Sequence, residues 1–255
     1  MQSRTNHPSV GSFRVEARHH PGTGYTMCVG QPTVDVELWD DYLRGAATAY
    51  TRHGCTAALD VDAVRPGAST TIFTTAVDDE GRIIGGARVS RRVTAAMQSH
   101  AVAVEWAGRP GQRELVNAIE DRIAGGLVEV KTAWVDERSP LAADVAAGLA
   151  RMGLIYMEVC GVDHLLASAA GHVLSRWESG GGRLDLAVPA TPYPDERYRT
   201  QIMWWDQADI RGRATPGVWR TMCDERDRLL GSADPDRGSA ASGSVARPSS
   251  WVMVG

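Results

Sequence analysis

The sequence predicts an α/β protein of the mixed α+β kind, a central mixed sheet with flanking helices. Three observations carry that expectation. Residues 127–135, 154–160 and 198–205 are apolar runs, rich in Val, Ile, Tyr, Thr or Trp, whose length suits buried strands. Residues 70–77 and 82–89 form two more such runs around Asp78-Asp79-Glu80-Gly81, which reads as a hairpin. Helical periodicity falls between the strands rather than in one block, the order expected of a sheet covered by helices.

Along the chain, residues 1–23 are rich in His, Pro, Gly, Ser and Arg and read as an irregular lead-in, with at most a short strand over 12–17. A short strand is expected at 25–29. Over 34–53, Val36, Leu38, Trp39, Leu43, Ala46, Ala47 and Tyr50 recur near helical spacing until Gly54 stops the helix. An acidic, irregular segment with Asp60 and Asp62 leads into the hairpin, and 113–124 forms a helix with Leu115, Val116, Ile119 and Ile123 on one face. The strand 127–135 ends in the charged turn 136–139. Ser139 is then the expected N-cap and Pro140 the first turn of an Ala-rich helix that runs to 152 and stops at Gly153. Further on, a strand at 154–160, a helix at 162–177 ended by Gly180-Gly181-Gly182, and strands at 183–188 and 198–205 complete one domain over 24–230. Residues 231–255 are dominated by Gly, Ser, Ala, Asp and Pro, bury too little apolar surface to fold, and are expected to be a disordered tail.

Composition narrows the function. A formal charge of −4, from 27 basic and 31 acidic residues spread along 255, leaves no sustained basic stripe, so nucleic acid is not an expected partner. No run approaches the length of a membrane span, and residues 1–20 lack the apolar core of a signal peptide, so a cytoplasmic protein is expected. Cys28, Cys55, Cys160 and Cys223 lie far apart with no CxxC or Cys/His spacing, which suggests neither a metal site nor a disulfide framework. Cys160 is read as packing.

Two places carry chemistry. A strand feeding a helix N-terminus at 127–142 offers unpaired backbone N–H groups and a partial positive charge, a natural seat for phosphate, with Arg138 beside it. Glu129 stands among Leu127, Val128, Val130, Ala133 and Val135, and an anion there needs either a partner or a task. Lys131 or a neighbouring strand would supply the partner; a proton to remove would be the task. Arg88, at a strand end, could hold an acidic group of a substrate or the aspartates at 60 and 62.

The element order, with a hairpin before a helix and a β-α-β-α-β-β ending, resembles the GNAT acyltransferase fold over about 34–206. In that fold the fourth strand, here 127–136, parts from the fifth, here assigned to 154–160, and the pantetheine arm of the acyl carrier runs into the gap. The phosphate-loop motif Gln/Arg-x-x-Gly-x-Gly/Ala is matched by Arg138-Ser139-Pro140-Leu141-Ala142-Ala143 at its first and last positions, with Leu141 where the family has Gly. A nearer resemblance is to the acyl-homoserine-lactone synthases and N-acyl amino acid synthases, which lack that motif. Asp60-Val61-Asp62, Gly85-Gly86-Ala87-Arg88-Val89, Glu129, Val135-Asp136 and Pro192-Tyr193-Pro194-Asp195 match that branch in order. Its Glu-x-x-Arg becomes Glu129-Val130-Lys131-Thr132 here, so Lys131 or Arg88 would have to supply the missing charge.

The resemblance implies an N-acyltransferase that uses acyl-CoA or acyl-acyl-carrier-protein as co-substrate and a small amine such as an amino acid as acceptor, with no metal. It implies Glu129, Arg88 and Asp62 at the acceptor, and a thioester carbonyl held by the backbone N–H of Trp134 or Val135. Ser168, His172 and Ser175 would share a helix face near the leaving thiolate. The donor phosphate would meet Arg138, Ser139 and Ala143. Alternation along 198–205 puts Trp204 and Trp205 on opposite faces, so only one of them can line an acyl pocket. A small-group acetyltransferase using acetyl-CoA, or a non-catalytic fold that binds a ligand or partner, are the alternatives.

Overall fold

The computed structural model describes residues 15–16 and 24–230; the readings for the rest of the lead-in and for 231–255 lie outside the described residues. Strands β1 (Val15–Glu16) and β2 (Tyr25–Gly30) come first, then helix α1 (Val36–Arg52) and the single turn α2 (Val61–Val64). The hairpin β3 (Thr70–Asp78) and β4 (Ile83–Ser90) is followed by the irregular segment 91–111 and helix α3 (Gln112–Ile123). Next are β5 (Leu127–Val135), α4 (Ala142–Arg151), α5 (Gly153–Cys160) and β6 (His164–Ala170). Helix α6 (Leu174–Ser179), β7 (Arg183–Leu184), β8 (Thr200–Asp206), α7 (Ile210–Arg213) and α8 (Pro216–Leu230) complete the fold.

The eight strands form one sheet in the order β1-β2-β3-β4-β5-β6-β8-β7. Every pairing is antiparallel except β5 with β6. On one face Val128, Val130, Leu165 and Ala167 pack with α4, α5 and α8. On the other, Leu127 and Leu166 join Leu115 and Ile119 of α3, while Trp134 joins Trp39, Tyr42 and Leu43 of α1. Side chains alternate along a strand, so β5 serves both faces.

The structure corrects the expected second half. Residues 153–160 are helical, and the parallel partner of β5 is His164–Ala170, inside the expected helix 162–177. The run LIYMEVC is apolar all round, and a buried helix and a buried strand are alike in periodicity. The distinguishing signal is Gly161, which adopts φ +62° just past the helix and lets Val162 N donate to Met157 O at 3.0 Å, a C-terminal glycine cap. The strand expected at 183–188 shortens to Arg183–Leu184, and α8 had no counterpart in the reading.

Candidate active site

Parallel pairing of β5 with β6 runs from Leu127 and His164 to Val130 and Ala167, then stops although β5 continues to Val135 and β6 to Ala170. Beyond Val130 and Ala167 the strands are no longer paired, which leaves the gap expected of the fold, though with a different fifth strand. Asp136 N donates to Ile84 O at 2.8 Å, so the alternation of an antiparallel ladder turns the N–H of Val135 away from β4 and toward that gap. The N–H of Trp134, which lies opposite Gly86, faces β4 instead.

Thr132 lies where the strands part. Gly86 pairs with Trp134 but Arg88 pairs with Lys131, so β5 carries one extra residue, a bulge. Thr132 sits there with φ +53°, a conformation that costs a β-branched residue on the order of 1–3 kcal/mol. Two buried contacts hold it: Tyr42 Oη donates to Thr132 O at 2.7 Å, and Arg88 Nε donates to Thr132 Oγ1 at 3.1 Å. Opposite Trp134, Gly86 must stay glycine because a Cβ there would lie 2.3 Å from Thr74 O of β3 and 2.9 Å from the Tyr42 ring whose hydroxyl holds Thr132.

On the α1 and α3 face the side chains of β5 build a buried polar cluster. Glu129 is only 2% exposed and does have partners. Its Oε2 accepts from His100 N at 2.9 Å and Ser99 Oγ at 3.3 Å, and its Oε1 accepts from Ala101 N at 3.1 Å, with Lys131 Nζ 3.7 Å away. It fixes residues 99–101, the entry to the π-helical turn Ala101–Glu105. Glu105, fully buried, is ion-paired with Lys131 Nζ and accepts from His100 Nδ1 at 3.0 Å, while its Oε2 has no partner among the described residues. Burial alone would raise the Glu105 carboxyl, but Lys131 and His100 outweigh it and hold it at about 2. Burial alone would likewise depress the Lys131 ammonium; Glu105 and Glu129 hold it well above its ordinary range. The rings of Tyr50 and Tyr193 border this charge. Burial pushes the Tyr50 phenol up to about 12 and raises that of Tyr193. His100 stands 35% exposed with its ring 6.1 Å from that of Tyr193 and its Nδ1 on Glu105.

His100 and Glu105 were not legible as site residues. The available signal was a charged residue inside the apolar stretch Ala101-Val102-Ala103-Val104-Glu105-Trp106.

Other expected residues are dispersed. Asp62 is exposed on α2 and Asp60 caps that helix through Ala63 N at 3.0 Å, so neither meets Arg88, which instead holds the hydroxyls of Thr132 and Thr70. Two cations stand beside position 132, where the resembled branch has arginine: buried Lys131, paired with Glu105, and Arg88, which donates to Thr132 Oγ1. Ser168, His172 and Ser175 do not share a helix face, because Ser168 is in β6, His172 in the turn Gly171–Val173 and Ser175 in α6. Only Ser168 is at the gap; alternation from Leu166 puts it on the α3 face. Ser139 is not the N-cap: α4 starts at Ala142, Leu141 precedes it, and Ser139 Oγ accepts from Leu141 N at 3.2 Å. Arg138 is exposed and bound bidentately to Asp136, both contacts at 3.0 Å. Trp205, with Trp177 5.4 Å away, lines the apolar side of the gap beside Tyr156 and Ala133, while Trp204 faces α3. The void left between them is about 10 Å³, room for one water. Among the described residues no cluster of His, Cys, Asp and Glu could hold a metal ion, and no helix is long and apolar enough to cross a membrane.

No protein-family model matches the sequence. The uncharacterized protein Rv1356c of Mycobacterium tuberculosis and the uncharacterized protein Mb1391c of Mycobacterium bovis are each 43% identical to this chain over 204 residues, 80% of this chain and 77% of theirs. Among solved structures, FeeM, an N-acyl amino acid synthase from uncultured soil microbes, superimposes with a TM-score of 0.55 at 18% identity over 78% of this chain and 99% of its own. The AHL synthase LasI gives 0.50 at 13% identity over 80% and 98%. MesI, a CoA-dependent acyl-homoserine lactone synthase, gives 0.50 at 15% identity over 78% and 93%. The fold is that of the GNAT acyltransferases, on the side of the acyl-homoserine-lactone and N-acyl amino acid synthases.

Proposed function

We propose that this chain, which belongs to the family of the mycobacterial proteins Rv1356c and Mb1391c, is an N-acyltransferase that moves an acyl group from a thioester of acyl carrier protein or CoA to the amine of a small acceptor such as an amino acid. The observation that supports the reading is one juxtaposition. β5 leaves its parallel partner after Val130, and the two residues that flank the break, Glu129 and Lys131, belong to a buried charge cluster with an accessible imidazole.

In this reading the thioester enters the gap and its carbonyl oxygen takes a hydrogen bond from Val135 N–H, where negative charge develops as the amine nitrogen attacks. The C–N bond forms, the C–S bond breaks, and the sulfur departs as a thiolate, for which Ser168 Oγ on β6 is the proposed hydrogen-bond donor. The amine must lose a proton. His100 accepts it at Nε2, and Glu105 holds the imidazole in the right tautomer and stabilises the imidazolium that results. Glu129 is a positioning residue: it holds the backbone that carries His100. Arg88, whose Nε and one Nη hold Thr132 and Thr70, is the proposed contact for the acceptor's carboxylate. Arg138, just past the end of β5, is the proposed contact for the donor's phosphate; Ser139 and Ala143 at the start of α4 are not required for it. Asp62, His172 and Ser175 have no part.

The test is direct. The purified chain is incubated with acyl-carrier-protein or CoA thioesters and a mixture of amino acids, and products are read by mass spectrometry. N-acyl amino acids whose formation needs His100 are expected. Intact thioester after long incubation with every donor and acceptor would remove the reading and leave a binding protein.

A further inference from the structure

A second cavity, of about 340 Å³, opens between α1, the β3–β4 turn and the end of β5. Its charged lining is Arg44, Arg52, Arg82 and Arg138 against Asp41 and Asp136; Arg82 is neutralised by Asp78 and Glu80 as well, so the surplus guanidinium lies at Arg52 and Arg138, which share Asp136. Trp134 and Gly45 are also part of the lining, and the indole Nε1 of Trp134 is a buried donor with no partner among the described residues.

The arginines are held loosely. Arg44 meets Asp41 with side chains 68% and 49% exposed, and Arg138 meets Asp136 while itself 72% exposed. Exposed pairs of this kind are worth little and exchange readily for a better ligand. Arg52 shares Asp136 with Arg138, so that one carboxylate serves two guanidinium groups. Arg82 is tied to Asp78 and Glu80 and forms the far rim. A cavity with surplus guanidinium and an unused N–H donor suits an oxyanion, and phosphate, whose several oxygens meet planar guanidinium forks, suits it better than a single carboxylate. Trp134 and Asp136 flank Val135, so the cavity adjoins the mouth of the gap. An α-amino acid has its carboxylate one carbon from the reacting amine. The phosphate of a pantetheine arm, in contrast, is a long chain away from its thioester and can lie out on this rim.

We infer that this cavity holds the phosphate of the acyl carrier's phosphopantetheine arm, through Arg44, Arg52 and Arg138, on the α1 side of β5 rather than at the N-terminus of α4. The inference rests on the N-acyltransferase reading for the source of the phosphate, but not for the existence of the anion site.

The experiment follows the indole N–H resonances of the full chain labelled with ¹⁵N-tryptophan, with Trp134→Phe assigning the relevant peak. Inorganic phosphate, pantetheine and 4′-phosphopantetheine are titrated separately, with no turnover required. Phosphopantetheine should move the Trp134 resonance at concentrations where pantetheine does not, and more tightly than inorganic phosphate. Arg44→Gln and Arg52→Gln should each weaken that binding by about tenfold, and added salt should weaken it further. A Trp134 resonance unmoved by phosphopantetheine, or moved equally by pantetheine, overturns the site. Equal affinity for inorganic phosphate and phosphopantetheine overturns the carrier-arm assignment. Phosphopantetheine binding without any acyl transfer strikes the proposed activity and leaves the site standing; acyl transfer without binding at Trp134 does the reverse.

Discussion

The two faces of β5 differ as much as two proteins do. Toward α4 and α5 the strand shows Val128, Val130, Ala133 and Val135 to Leu149, Ile155 and Tyr156, an apolar layer. Toward α1 and α3 it shows Glu129 and Lys131, which with Glu105 and Arg88 form a charged layer of nearly equal burial, with His100 at its exposed edge. The first layer is stabilised by area removed from water and tolerates approximate shapes. The second is stable only while every charge keeps its partner, since an unpaired buried charge is penalised heavily. Changes on the apolar face should therefore alter stability, whereas changes on the charged face separate into those that unfold the protein and those that stop only chemistry.

His100→Gln sharpens that division most. Its partners in the cluster stay paired with one another, so folding should survive, while kcat for amine acylation falls by roughly 10²–10⁴-fold and recovers in part at high pH as the acceptor deprotonates itself. Steady-state rates across pH, with a thermal melt alongside, decide it. A wild-type profile would return the proton transfer to another group.

Lys131→Met attacks the same layer through stability. It leaves Glu105 and Glu129 buried without their cation, a loss of about 3–5 kcal/mol by denaturant titration, and Lys131→Met with Glu105→Leu should regain most of it. A single variant as stable as the wild type would mean that the pair is not buried in solution.

Acid should find the same weak point. Glu105 ionises at about 2 in the folded chain against an ordinary 4.5, so folding favours the ionised form; its contribution is complete above about pH 4.5 and disappears as pH falls toward 2. Lys131→Met removes the group that lowers this pKa, so acid unfolding followed by circular dichroism should begin at higher pH in the variant.

Gly45→Ala tests the α1 side. An added Cβ would lie 2.1 Å from the Trp134 ring, an overpacking cost of about 1–3 kcal/mol, offset by about 1 kcal/mol of improved helix propensity. A modest fall in the melting temperature is expected. A rise would show that the indole has room to move.

The smallest effect is kinetic: Arg138→Ala should raise KM for the acyl donor more than it lowers kcat, because phosphate binding is common to ground and transition states. An unchanged KM would detach Arg138 from the donor.

Locally specified features were legible in the sequence. The 3.6-residue period of α1 and α3, the hairpin around Asp78 to Gly81 and the β-branched run of β5 need only neighbouring residues to be recognised, and each lies within a few residues of its expected place. So did Glu129 and Arg88, because a charge inside an apolar strand is anomalous wherever the chain goes. Where the signal was all-apolar it failed. Leu154 to Cys160 became a helix, and the true partner of β5 was the weakly patterned His164–Ala170, because burial on all sides erases periodicity and tertiary contacts then choose the conformation. Partnership, too, belonged to the tertiary structure. Glu129 caps residues 99–101, Glu105 reaches Lys131 across 26 positions, and Asp62 is turned out to solvent. Residue type sets what a side chain needs, but only the assembled sheet decides which groups, distant in the chain, lie within 3 Å to meet that need.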